Sequence, residues 1–412
     1  MTLIGLAWRS LRNRRATALL CMATIALAVA VPVAVERIRN DVRGSFASTV
    51  SGTDLIVGAR TGSLNLLLYA VFHIGEATNN LDWKSYGDIA AWKEVDWAVP
   101  LSLGDSHKGF RVVGTTPEFF RRFRYGARRT LDFAQGAAFA TTFDAVVGAD
   151  VAARLGYAPG QRIVLTHGLA GFVEHADNPF HVAGVLARTG TPVDASVFVG
   201  LDAIEAIHRD WKSGAYVAGS GDPAASNAPT TITAFLLGLK NRAATFTVQR
   251  RINEYTGEPL VAILPGVALQ GLWSLVGVAE NGLRLVGMLV VVAGLTGMLG
   301  VLLAGLNERR REMAVLRALG AGAATVFGLL LVEALLIAGI GALAGLALAC
   351  AALAAASDYV AAHYGLQLAA AWPTAQDALL VAAVIIAAAL AGLVPATVAY
   401  RNSLADGLGM RT

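Results

Sequence analysis

Ala16 to Val35 reads ATALLCMATIALAVAVPVAV, twenty consecutive residues without a charge, set between Arg14-Arg15 and Glu36-Arg37. A helix rises about 1.5 Å per residue, so roughly 20 apolar residues cross the ~30 Å of hydrocarbon in a bilayer. The stretch is therefore read as a transmembrane helix over 16–35. It is longer than the roughly 7 to 15 apolar residues of a secretory leader, so a retained span is expected rather than a cleaved one. Working outward, three more such runs follow: Leu285 to Leu306, Ala318 to Ala356 broken only by Glu333, and Ala378 to Tyr400. The third is too long for one span and too short for two with a turn. Its first dozen residues are expected outside the hydrocarbon, with the span at 331–356. A chain of 412 residues that is 55% hydrophobic and only 15% charged fits this reading and excludes an ordinary soluble protein.

Charge sets the sidedness, because short loops rich in Lys and Arg stay in the cytoplasm. Residues 1–15 carry four Arg and no acid, 307–317 four Arg and two Glu, and 401–412 two Arg and one Asp. The loop 357–377 has two Asp and no Lys or Arg, and 36–284 carries 23 charges of each sign. Both termini and the segment 307–330 are expected in the cytoplasm, with 36–284 and 357–377 outside. The net charge of +4 follows from this asymmetry, so no nucleic-acid partner is invoked.

The four spans are chemically dry. Their polar residues are Thr17, Thr24, Thr296, Thr325, Thr397, Tyr400 and Glu333, too few to line a path for a hydrophilic solute. Gly341 and Gly345 form a small-xxx-small pair, and Gly294, Gly297 and Gly300 recur every third residue. Such glycines read as helix-packing surface, here between two copies of the chain. Glu333 is expected in a membrane ion pair with an Arg.

The 36–284 segment has the composition of a folded extracytoplasmic domain and no cysteine, so its core alone must hold it. Short strands are expected at 54–58 (DLIVG), 145–148, 162–165, 180–186, 197–199 and 232–240, with helices at 150–155 and 243–255. This is an α+β domain, expected as two subdomains with a lobe inserted from about residue 97. Leu64 to Phe72 (LNLLLYAVF) reads as core. Glu174, His175, Asp177 and His181 lie close in sequence but form no HxxxH or CxxC pair. No metal site and no cofactor are assigned to the chain.

A chain that hydrolyses nucleotide through a P-loop needs GxxxxGK[ST]. None of the five Lys here (84, 93, 108, 212 and 240) follows a Gly, and no GxSxG or HExxH occurs. No catalytic residue is assigned. The cytoplasmic segment instead carries Asn307-Glu308-Arg309-Arg310-Arg311-Glu312-Met313-Ala314-Val315-Leu316-Arg317-Ala318-Leu319-Gly320. On a helix, Glu308 with Arg311 and Arg309 with Glu312 pair three apart. Met313, Leu316 and Gly320 share a face beside Val315 and Leu319, and Gly320 supplies a left-handed stop. This is a docking element with an apolar shoulder.

The run ERRREMAVLRALGA, followed by Glu333 and the glycines of the third span, resembles the MacB/FtsX/LolC-type ABC permeases, the mechanotransmission family. Residues 6–13 (LAWRSLRN) resemble its elbow helix, 146–165 and 180–199 its periplasmic core domain, and 395–408 its C-terminal tail. Met313-Ala314 stand where Ile-Gly is usual and Ser403 where Pro is common. The resemblance implies a bacterial inner-membrane permease without a fused ATPase. It implies a partner ABC ATPase dimer that binds ATP and Mg, a second permease as identical copy or paralogue, and a periplasmic accessory or cargo protein. Glu308 to Gly320 would then be the ATPase contact, and the function extraction or export of an amphipathic, lipoprotein or peptide-like cargo. Two alternatives stand beside it: a non-transporting signalling scaffold, and a zinc-related permease, because Asp54 to Gly75 resembles a subgroup associated with zinc-responsive operons.

Overall fold

The computed structural model describes residues 3–49, 51–126, 128–168, 175, 177–209, 211–212, 215–216, 227–308, 315, 318, 320–364 and 372–408. In chain order, α1 (Leu3–Asn13) and α2 (Arg15–Thr49) precede β1 (Leu55–Ala59), α3 (Ser63–Val71), β2 (Leu81–Asp82), α4 (Trp83–Ala90), β3 (Val95–His107) and β4 (Phe110–Thr115). Then come α5 (Glu118–Arg122), β5 (Phe133–Gly136), β6 (Asp144–Val147), α6 (Ala149–Leu155), β7 (Arg162–Ile163), β8 (Thr166–His167), β9 (Phe180–Leu186), β10 (Ser196–Gly200) and α7 (Leu201–His208). Strands β11 (Trp211–Lys212), β12 (Ala215–Tyr216), β13 (Thr231–Ile232) and β14 (Ala234–Leu239), α8 (Thr245–Asn253) and β15 (Leu260–Ile263) lead to three long helices. These are α9 (Pro265–Glu308), α10 (Ala323–Tyr364) and α11 (Ala375–Leu408).

The chain divides into two compact units. One holds 1–41, 277–359 and 368–412; the other holds 42–276 and 360–367. In the first, α2, α9, α10 and α11 are each long and apolar enough to cross a membrane. Cys21, Ile25, Val29 and Val33 recur every fourth residue along α2 and are buried against Met298, Ile337, Ala338, Ala342, Val384 and Ala388. That spacing puts one stripe of α2 at the centre of the bundle. Leu285, Met288, Leu289 and Val292 of α9 stay exposed, as side chains facing lipid do. The short α1 buries Ala7 and Leu11 and exposes Ile4 and Trp8, an amphipathic helix suited to the membrane interface.

In the second unit, an 11-stranded mixed sheet runs in the order β15-β1-β14-β3-β4-β10-β6-β9-β5, with β7 beside β9 and β8 beside β3. The β10–β4 and β6–β9 pairs are parallel. Successive side chains of a strand alternate faces, and the cores sort accordingly. Ile56, Val113, Val146 and Phe198 lie on the face covered by α3 and α5, with Leu66, Leu67, Phe119 and Phe120. Their neighbours point the other way. Leu55, Val57 and Leu237 pack with Ile89, Val248 and Ile252 of α4 and α8; Val112, Val147, Val197 and Val199 pack with Val151, Ala203 and Ile207 of α6 and α7. The apolar run 64–72 fills the core as expected, with Leu66, Leu67, Tyr69 and Phe72 all buried.

The two halves expected as subdomains share one sheet, joined through β3. Its 13 residues pair with β14 from Val95 to Leu101 and with β4 from Ser102 to His107. The hydrogen-bonded ladder therefore continues from one half to the other. The inserted half has its own helix layer on one face, but the other face carries a shared core.

Candidate functional site

Of the predicted docking element, Arg309, Arg310, Arg311, Glu312, Met313, Leu316, Arg317 and Leu319 lie outside the described residues. Glu308 ends α9. Val315 and Ala318 are helical and Val315 is exposed, which leaves an apolar side chain on the surface of this segment. Gly320 has φ +92, a region an L-residue enters only with strain. It stands where a left-handed stop was expected, and α10 begins at Ala323.

Inside the bundle, Glu333 is fully buried. It lines a cavity of about 40 Å³ with Arg14, Thr17, Cys21, Val301, Leu302 and Ile337. That is room for one or two waters and too little for a solute path. Arg14 Nη1 donates to the carbonyl of Gly305 at 3.2 Å, which places a basic head group on the same cavity as the carboxylate. The hydroxyls of three membrane threonines turn back on their own helices. Thr24 donates to Cys21 O at 2.9 Å, Thr296 to Val292 O at 2.9 Å, and Thr397 to Val394 O at 2.9 Å. Their polarity is consumed locally.

Three of the five glycines pack against a helix of this same chain. A Cβ on Gly345 would lie 2.3 Å from Ala26 O, one on Gly341 2.9 Å from Met22 O, and one on Gly294 2.9 Å from the Ala28 Cβ. All three seat α2 within this chain, because only glycine lets the backbones approach so closely. Gly297 and Gly300 have open space around them.

Sequence reasoning did not identify the polar fastening at the ends of these helices. Arg37 donates to Asp377 Oδ2 through Nη2 at 2.5 Å and Nε at 3.1 Å, and both side chains are buried. Asp377 also accepts from Thr374 N at 2.7 Å, while its own N–H donates to Thr374 Oγ1 at 3.3 Å. This is the reciprocal cap of a helix start, T-x-x-D. Beside it, Arg39 lies against Glu36 and 3.8 Å from Glu280, and Arg284 lies 3.8 Å from Glu36. The acids and bases flanking the apolar runs were the available signal, but their pairing needs the fold.

In the outer unit, the residues grouped by sequence are Glu174, His175, Asp177 and His181. Glu174 lies outside the described residues, and His181 is exposed on β9. His175 instead joins Asp105, His167 and His208, residues spread over about a hundred positions, so spacing alone does not reveal them. His107 is held separately, with Nδ1 2.6 Å from Val164 O and Nε2 2.8 Å from Tyr157 Oη. His73 Nδ1 lies 2.8 Å from Ser196 Oγ. Burial, with a contribution from the Arg111 charge, pushes the His73 imidazole down to about 4.

Residues 18–255 match the MacB-like periplasmic core domain and residues 284–404 the FtsX-like permease C-terminal. Among curated proteins none matches this chain. The periplasmic region of MacB from Actinobacillus actinomycetemcomitans is similar in structure at 10% identity, over 56% of this chain and 95% of that one, with a TM-score of 0.34. The extracellular domain of the noncanonic ABC-type transporter YknZ from Gram-positive bacteria is similar at 12% identity, over 51% and 98%, with a TM-score of 0.30. The membrane bundle carries one match and the mixed domain between its first and second spans the other. The chain therefore belongs to the FtsX-like permeases with a MacB-like periplasmic core domain, the MacB/FtsX-type ABC transporter permeases.

Proposed function

We propose that this permease converts the closing and opening of a separate ATPase dimer into movement of its outer domain, and so extracts or exports an amphipathic cargo of the lipoprotein or peptide kind. The observation that carries this reading is the dryness of the bundle. Three of its membrane threonines bond to their own helices and the cavity beside Glu333 has room for only one or two waters, which supports the view that work on a cargo falls to the outer domain. Helices α2 and α9, unbroken over 35 and 44 residues, each contribute to both units and suit the transmission of force. In this reading the chain sits in a bacterial inner membrane with both termini and residues 307–330 in the cytoplasm. ATP and Mg are bound by the partner, and a second permease completes the pump.

The test is reconstitution of the permease with its ATPase in proteoliposomes. Hydrolysis stimulated by a lipoprotein or peptide cargo, together with release of that cargo, supports the pump. Hydrolysis coupled only to activation of an extracytoplasmic partner, with no cargo moved, would establish the signalling scaffold instead.

A further inference from the structure

Four potential ligand atoms converge in the inserted half of the outer domain, and local structure explains how each is held. The β3–β4 register shifts between Leu103 and Ser106, a bulge that re-aims a strand's side chains. Asp105 lies within it and pairs instead with His167, directly opposite on β8. After β8, Gly168 and His175 are held by Gly168 N to Gly104 O at 2.9 Å, Ser106 Oγ to Gly168 O at 2.5 Å and His175 N to Leu165 O at 2.9 Å. His208 closes the last turn of α7.

Four of the six distances among these atoms are near those of a tetrahedral coordination shell. Asp105 Oδ1 lies 3.3 Å from His167 Nδ1, 3.7 Å from His175 Nε2 and 3.3 Å from His208 Nε2. His167 Nδ1 and His208 Nε2 are 3.0 Å apart, and the four atoms all lie within 4.8 Å of one another. Metal–ligand bonds of about 2.0–2.1 Å in a tetrahedron require ligand–ligand edges of about 3.3 Å. Hydrogen bonding accounts for the cluster poorly. Asp105 is 1% exposed, and its Oδ1 accepts no hydrogen bond of normal geometry among the described residues. A buried carboxylate oxygen needs a positive partner. His208 Nδ1 lies 2.9 Å from the carbonyl of Ile204; a carbonyl only accepts, so Nδ1 carries a hydrogen and Nε2 is the atom the ring turns to the cluster. Such a backbone partner is how a metal-binding imidazole is oriented. One proton satisfies one edge of the cluster, whereas one cation satisfies all four ligands.

We propose that Asp105, His167, His175 and His208 bind one divalent cation of the zinc class. Three imidazoles and a carboxylate select zinc or a neighbouring late transition metal over calcium or magnesium, which prefer all-oxygen shells. Four protein ligands close a tetrahedron and leave no open position for a reacting water, so the ion pins β3, β8 and the end of α7 together rather than performing chemistry. The proposal is independent of the cargo and of the ATPase.

The test uses the full-length permease in detergent, without a polyhistidine tag, stripped with a chelator, re-equilibrated with ZnCl₂ or CoCl₂ and desalted. Wild type is expected to retain about one zinc per chain, and the cobalt form to show the intense visible absorption of tetrahedral Co²⁺. Millimolar Ca²⁺ or Mg²⁺ should not displace either ion. His208→Ala and His175→Ala should lower retained metal at least tenfold, while His181→Ala, at an exposed position of β9, should match wild type. Wild-type protein that retains less than about a tenth of an equivalent overturns the proposal, as does a well-folded His208→Ala variant that retains as much as wild type. Should the variants misfold, wild-type stoichiometry and the cobalt spectrum decide alone, a weak octahedral spectrum counting against the site.

Discussion

Arg37 and Asp377 show how much a single buried pair holds. Asp377 receives the Arg37 guanidinium and the Thr374 backbone on one oxygen, so neutralising it strands a buried cation. Asp377→Asn is expected to destabilise the bundle by about 3 kcal/mol, whereas the double change Arg37→Met with Asp377→Leu costs less, because it removes both charges together. Thermal unfolding in detergent micelles checks this; equal losses in the single and double variants would contradict it. His73 makes a prediction about pH. Its imidazole titrates near 6.5 when unfolded and near 4 in place. Below pH 6.5 the unfolded chain takes up a proton that the folded one refuses, so stability falls as pH drops toward 4 and levels off beneath it. The loss is on the order of 3 kcal/mol at most. His73→Asn, which tolerates the positive φ of 55 at this position, should flatten that slope in denaturant titrations between pH 4 and 7.

At the scale of elements, helices meet where side chains are smallest. Gly345→Leu would drive a side chain into the backbone of Ala26 and should abolish a stable bundle, while Gly297→Ala, with open space around it, should be neutral to within about 0.5 kcal/mol. Yields of monodisperse protein and melting temperatures separate the two. In the cytoplasmic segment, Leu316→Asp should reduce co-purification of the ATPase, because an unpaired carboxylate in an apolar contact costs several kcal/mol when desolvated. Gly320→Pro should allow association yet uncouple hydrolysis, since proline cannot adopt φ +92. Lys93→Asp, exposed on the outer unit, serves as the control and should leave association unchanged.

These elements were unequally legible in the sequence. The four spans follow from composition alone, because a hydrocarbon core excludes charge. Strand β9 lies at 180–186 as expected, and β1 begins one residue inside DLIVG, because both are apolar and bounded by turn residues. Strand β3 was missed. Its sequence VDWAVPLSLGDSH contains Pro100 and Gly104, which normally argue against a central strand. Pro100 is accommodated opposite Phe235, with its carbonyl accepting from Thr115 Oγ1 at 2.7 Å. The Asp105 cluster was hidden for a related reason: the bulge that orients it is a property of pairing, which composition and periodicity do not report.

At the scale of the molecule, a sheet continuous through β3 implies that the outer domain unfolds as one unit. Leu237→Ala in the first half and Phe180→Ala in the inserted half should each lower the same transition, by about 2–5 kcal/mol. Hydrogen exchange in the outer domain is the readout, and a substitution that releases only its own half would show that the halves are independent. The continuity of β3 also makes it the keeper of phase for everything beyond it. Because side chains along a strand alternate with a period of two, inserting one residue after Leu101 inverts the remainder of the strand, turning core positions toward the wrong layer and carrying Asp105 to the opposite face. Two inserted residues would restore the parity, at the cost of sliding the β4 ladder by one repeat. The inserted half is thus governed by an odd-or-even rule in a strand that begins outside it, so lineages that lengthen or shorten β3 should do so in steps of two.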